Sequence, residues 1–169
     1  MIPATTKKLR ETRFFLAKLE REVTPLEPSH IEEAEFYFSA FLSAARSVTF
    51  VLEAEEPIKY VAWSPGWRAS RSERERFLLH RFTDARNRAL KRQTPSVAED
   101  HAASVIAPYG NLPPELIFFF MEEEQPLLGY RVLKCRLMPG EPEEEVVPLC
   151  REYERLLSVL VDEFLKAHT

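Results

Sequence analysis

The feature that most constrains this chain is a run of apolar positions at helical spacing between residues 29 and 54. Ile31, Ala34, Phe38, Phe41, Leu42, Ala45, Val48, Thr49 and Leu52 hold one face of the segment, as a helix of about 3.6 residues per turn requires. Ser29 followed by Glu32 is a capping-box pattern at its start. A helix this long and widely apolar must be covered by others, so it is expected at the centre of a helical bundle. Its other side carries Ser39, Ser43 and Ser47 beside Ala40 and Ala44. Such small groups would let another helix of the same chain approach closely.

The flanking segments supply the covering elements. A first helix over about 5–22 carries a looser stripe of Leu9, Phe14 (or Arg13), Leu16 and Leu19, and VTPLEP ends it. PIKYVAWSPGWR holds two prolines and a glycine and is expected to be a connection, with Trp63 and Trp67 closing the bundle end. A third helix opens on a second capping-box pattern, Ser70 with Glu73, and reaches about residue 92 before QTPS breaks it. Residues 93–114 read as a polar connection with a short helix around Ala98 to Val105. The run LIFFFM (116–121) and the alternation of Leu133, Cys135 and Leu137 against Lys134 and Arg136 predict a hairpin over about 116–138. For 113–122 a short helix opened by PPEL is the alternative. The last segment, about 145–167, places Val146, Leu149, Cys150, Tyr153, Leu157, Leu160 and Phe164 on one face. The predicted fold is mainly α: one domain over 1–169, an up-and-down bundle of four main helices with a small β-hairpin insertion before the last.

Composition removes several functional classes. At 169 residues, 45% hydrophobic and 11% aromatic, the chain can bury a core without disulfides or metals. Its four glycines are scattered, so no glycine-rich loop can bring backbone amides to a nucleotide's phosphates in the usual fingerprints. Cys135 and Cys150 form no CxxC pair and are expected to be buried, inert thiols. The four histidines show no metal-ligand spacing and no nucleophile elbow is present, so neither a metal nor a cofactor is expected. No stretch reads as a signal peptide or a membrane span, which points to a cytoplasmic location.

The net charge of −4 hides a local imbalance. Residues 68–92 hold nine basic groups against three acids, Glu73, Glu75 and Asp84. On a helical projection Arg74, Arg81, Arg88 and Arg92 fall within about 40° of one another. That ridge could contact phosphates or pair with acids of neighbouring helices. Arg86 differs. It projects at about 120°, between Phe82 at about 80° and Leu79 and Leu90 at about 140° and 160°, in the middle of the apolar arc. A cation there needs a carboxylate such as Glu35 or Glu53, an aromatic face, or a ligand. His80 lies one turn from Asp84 on the polar face, where a solvated ion pair is expected.

The long stretch FYFSAFLSAARSVTFVLE, the tryptophan segment and FTDARNRALKR resemble the HEPN superfamily of helical bundles. The likeness covers about 5–92 well and the last helix loosely. Active members of that family carry an arginine followed after four to six residues by a histidine. Arg86-Asn87 matches the start of such a motif, but Lys91 stands where the histidine would be; Arg74 and His80 match by spacing alone. Lysine can hold a phosphate as a point charge but is a poor general base near neutral pH. The resemblance therefore implies a homodimer with a cleft lined by Arg86, Asn87 and Lys91. Arg81 and Arg88 lie nearby, and the cleft would bind RNA, a nucleotide or a partner protein with little or no catalysis. Two alternatives stand beside this reading. One is a metal-independent, toxin-like endoribonuclease using Arg86 with Asn87 or His80, held in check by an antitoxin-like protein. The other is a purely structural dimer.

Overall fold

A computed structural model describes residues 2–22, 31–90, 97–101, 131–135 and 142–168. Among them are five helices, α1 (Pro3–Glu22), α2 (Ile31–Glu55), α3 (Pro57–Ala69), α4 (Glu73–Leu90) and α5 (Val146–Ala167), and three short strands, β1 (Val97–His101), β2 (Arg131–Cys135) and β3 (Glu144–Glu145). The protein is mainly helical, with a small antiparallel β element before the last helix, as the periodicity predicts.

The apolar faces of α2 and α5 make the core. Ala34, Phe38, Phe41, Leu42, Ala45, Val48, Thr49 and Leu52 of α2 are all buried, as are the seven expected positions of α5. On α2 the small residues part company, since Ala44 is buried while Ser43 is exposed.

The stripe of α1 differs from expectation. Ile2, Thr5, Leu9, Thr12, Leu16 and Leu19 are buried at alternating three- and four-residue steps, facing α2 and α5, while Phe14 is 56% exposed. The two threonines escape notice as core residues, yet both hydroxyls are satisfied, Thr12 donating to the Lys8 carbonyl of its own helix at 3.0 Å and Thr5 to Glu55 of α2. Glu55, at the end of α2, caps α1. It accepts the backbone N–H of Ala4 (2.9 Å), the N–H of Thr5 (2.8 Å) and the Thr5 hydroxyl (2.6 Å).

The segment expected as a connection is α3. Pro57 sits at its first turn, where a missing N–H is harmless, and only Pro65 lies inside it. An internal proline costs a helix roughly 3 kcal/mol, and packing on α5 offsets it. Tyr60 and Trp67 are buried, Trp63 meets Phe164 edge-on at 5.3 Å, and Trp67 Nε1 donates to Glu163 at 2.8 Å. The two tryptophans do close that end of the bundle.

Because α3 runs to Ala69, Ser70 terminates it, its hydroxyl donating to the Trp67 carbonyl at 2.8 Å. The capping box of α4 moves two residues on. Ser72 N–H donates to Glu75 Oε2 at 2.8 Å and Glu75 N–H donates to Ser72 Oγ at 3.2 Å.

In the sheet, β2 pairs antiparallel with β1 on one side and with the two-residue β3 on the other. The alternation of β2 holds, with Leu133 and Cys135 buried and Lys134 half-buried. Val97–His101 is thus a strand where a connection with a short helix was expected, because the backbone ladder to β2 outweighs weak local preference. The expected strand LIFFFM lies outside the described residues.

Candidate anion-binding site

α4 is pinned to the core through Phe82, which meets Phe41 of α2 edge-on at 6.1 Å and stacks flat on Tyr153 of α5 at 4.0 Å. Ala85 is fully buried one turn further on, and Arg86 follows it, half-buried. Arg86 Nε is buried without a hydrogen-bond partner, and Nη1 donates only a long bond, 3.4 Å, to the neighbouring Asn87 Oδ1. No carboxylate among the described residues pairs with Arg86, so Glu35 and Glu53 do not neutralise it.

The remaining sequence candidates scatter around the helix. Asn87 is exposed beside Arg86. His80, with its side chain 70% exposed, lies 3.1 Å from Asp84 through Nδ1, the expected pair one turn apart. Six residues before Arg86, it projects about 120° away round the helix. The structure therefore does not bring it to the arginine. Arg81 places its guanidinium over the Phe77 ring, 5.1 Å from the centroid. Arg74, at the head of the basic ridge, is consumed by Glu144 at 2.7 Å and Glu152 at 3.0 Å. The side chain of Arg88 and all of Lys91 lie outside the described residues.

Arg46, which was not among the sequence candidates, feels the charge of Arg86 and of Arg68. Arg46 projects from α2 at the margin of its apolar arc. Its guanidinium lies over the Phe50 ring at 3.8 Å and donates through Nη1 to the Thr49 hydroxyl, while its Nε is buried without a partner. Burial lowers the Arg46 pKa; the phenols of Tyr153 and Tyr60 oppose that, and the guanidiniums of Arg68 and Arg86 add to it. Arg68 comes from the last turn of α3 and is exposed. The charges of Arg68 in α3 and of Arg86 in α4 are thus each felt by Arg46 in α2, and among the described residues no ion pair joins any of the three to a carboxylate.

Two buried phenols act on Arg46 as well. The Tyr60 hydroxyl is buried with no partner. Burial, with a smaller push from Tyr60, raises Tyr153 to about 12 against the pull of Arg46 and Arg68, so it keeps its proton at neutral pH. Guanidinium and phenol can both donate, and arginine cannot accept. Such groups could donate to an anion, and none of those named here would take a proton from it. The thiols add no nucleophile: burial pushes Cys135 up to about 12 and Cys150 well above its ordinary value. No group of three metal-ligating side chains occurs among the described residues, and no described helix is long and apolar enough to cross a membrane. Comparison with protein-family models, with curated proteins and with solved structures finds no match to this chain.

Proposed function

We propose that this chain is a HEPN-like, homodimeric protein that binds RNA through the face of α4 bearing Arg86 and Asn87, without cutting it. One observation supports this above the others. Arg86 is half-buried on the inward side of α4, keeps a buried Nε without a partner, and has no carboxylate among the described residues to neutralise it. A cation kept for the fold alone would be paired, whereas one kept for a phosphate is left open for it. His80 lies on another side of the helix beside Asp84, which argues against acid/base cleavage through that histidine.

The test is a titration of single-stranded RNA at about 50 and 200 mM salt, for the native chain and for Arg86→Gln. Affinity falls with salt and with the substitution, and RNA incubated in EDTA stays intact. Binding indifferent to both changes refutes the reading. Cutting that Arg86→Ala abolishes replaces it with the endoribonuclease. Sedimentation of the purified chain tests the dimer, and a monomer at all concentrations removes the shared cleft.

A further inference from the structure

The helix α1 has two sides, and the core accounts for one of them. Thr5, Leu9, Thr12, Leu16 and Leu19 are buried against the bundle. Phe14 lies on the opposite side, and on a helical projection Lys7, Arg10, Lys18 and Arg21 all fall within about 40° of it. Lys7, Arg10 and Arg21 are exposed and Lys18 is half-buried. The helix carries six basic residues, and the fold pairs two of them, Lys8 with Glu11 at 2.7 Å and Arg13 with Glu154 of α5 at 2.7 Å. Among the described residues no ion pair joins the other four to a carboxylate. Of the three acids of α1, Glu11 is held by Lys8 and Glu20 by Arg151, and Glu22 projects about 80° to the side of Phe14. Residues three apart are neighbours on a helix, so Lys7 repels Arg10 and Lys18 repels Arg21. At the centre of this line the Phe14 ring is 56% exposed, with Lys18 Nζ 5.6 Å from its centroid. The result is a basic line about 21 Å long with an aromatic ring at its middle, which pairing within the fold does not explain.

We propose that this face of α1 docks on a membrane leaflet that carries anionic lipid headgroups, its four cations among the headgroups and Phe14 at the boundary with the acyl chains. The proposal is independent of the RNA reading, which uses α4. The cations stand in a straight line on the crest of a helix whose other side packs on α2 and α5, and a flat negative surface meets all of them at once. A single strand of nucleic acid is held instead in a charged groove with several aromatic rings, whereas α1 presents one ring on a ridge. Lysine and arginine stems are long enough for the helix to lie against the surface while their charges stay at headgroup level. Each cation near such a surface multiplies affinity about fivefold. The net charge of −4 makes the attraction a property of this face and not of the whole molecule. Lying on a surface requires no spanning segment, and no described helix is long and apolar enough to be one.

The experiment sediments the full chain with vesicles of phosphatidylcholine alone or with about a third phosphatidylserine, at about 50 and 200 mM salt. The chain binds the anionic vesicles and not the neutral ones, and the higher salt weakens binding. Arg10→Gln, Lys18→Gln and Arg21→Gln each weaken it about threefold to fivefold, and Phe14→Ala weakens it as well. Arg74→Gln, which removes the same charge from α4, leaves it unchanged. The α1 variants melt with the native chain, because none of the substituted side chains belongs to the core. Failure to sediment with anionic vesicles overturns the proposal, as does sedimentation that neutral vesicles match, that the α1 substitutions leave unchanged or that Arg74→Gln weakens equally. Single-stranded RNA bound through these same four cations, with no binding to vesicles, assigns the line to nucleic acid and overturns it too.

Discussion

Arg74 and Arg86 sit on the same helix, about 18 Å apart along its axis, and have opposite surroundings. Arg74 forks onto Glu144 and Glu152, and those hydrogen bonds raise its pKa against the opposing effect of burial. It ties the start of α4 to β3 and α5. Arg86 lies past Phe82, on the inward side, and among the described residues only the amide oxygen of Asn87 receives it. The basic excess of residues 68–92 is therefore not one property. Part of it is paired within the fold, and Arg86, among the described residues, has no carboxylate partner.

That contrast can be broken most severely by loosening the helix both arginines ride on. Phe82 is 1% exposed between Phe41 and Tyr153. Phe82→Ala should lower stability to chemical denaturant by about 3–5 kcal/mol. A loss under about 1 kcal/mol would mean that α4 is not anchored there and that the place of Arg86 is not set by the core.

A smaller effect separates capping from pairing. Ser72→Ala removes one half of the reciprocal cap at the start of α4 and should cost about 1 kcal/mol in the same measurement. Arg74→Gln, although it breaks two ion pairs on a partly exposed side chain, should cost about 0.2–1 kcal/mol and less at high salt. Arg86→Gln should cost nothing or raise the melting temperature. A large loss on Arg86→Gln would place that arginine with Arg74 as a fold cation and erase the contrast.

Acid titration tests a carboxyl that is spent within the fold, Glu55 at the start of α1. Burial raises the Glu55 pKa, but the Thr5 hydroxyl and the backbone amides of Thr5 and Ala4 outweigh it and hold the carboxyl below its ordinary 4.5. A carboxyl lowered in the folded state contributes stability above its unfolded pKa, and that contribution fades as pH falls through the folded value. Melting curves from neutral pH down to the acid side of 4.5 should show the native chain losing a contribution that Glu55→Gln lacks throughout. Parallel curves for the two would mean that Glu55 does not cap α1 in solution.

Much of this was legible in the chain. The buried faces of α2 and α5 follow from periodicity alone, since each apolar residue there obeys the same spacing. The α3 helix was hidden because prolines are judged locally, whereas the two tryptophans that hold it in place act through α5. The capping box slipped because Ser70-x-x-Glu73 and Ser72-x-x-Glu75 overlap, and the choice depends on where α3 stops. The strand at Val97–His101 has no alternation to betray it and exists through its pairing with β2. At the site, the inward position of Arg86 was readable from one helix. That its charge is felt by Arg46 of α2 was not, because that depends on how two helices meet. Arg46 did carry a signal, a cation at the edge of the apolar arc of α2, two positions before Val48.

The most direct measurement titrates one labelled single-stranded RNA bearing a 5′-phosphate, over a range of salt, into the native chain, Arg74→Gln and Arg86→Gln side by side. The account predicts that Arg74→Gln matches the native affinity and salt slope. It predicts that Arg86→Gln binds about tenfold or more weakly with a slope shallower by about one unit or less. Equal losses for the two variants, or none for Arg86→Gln, would contradict it.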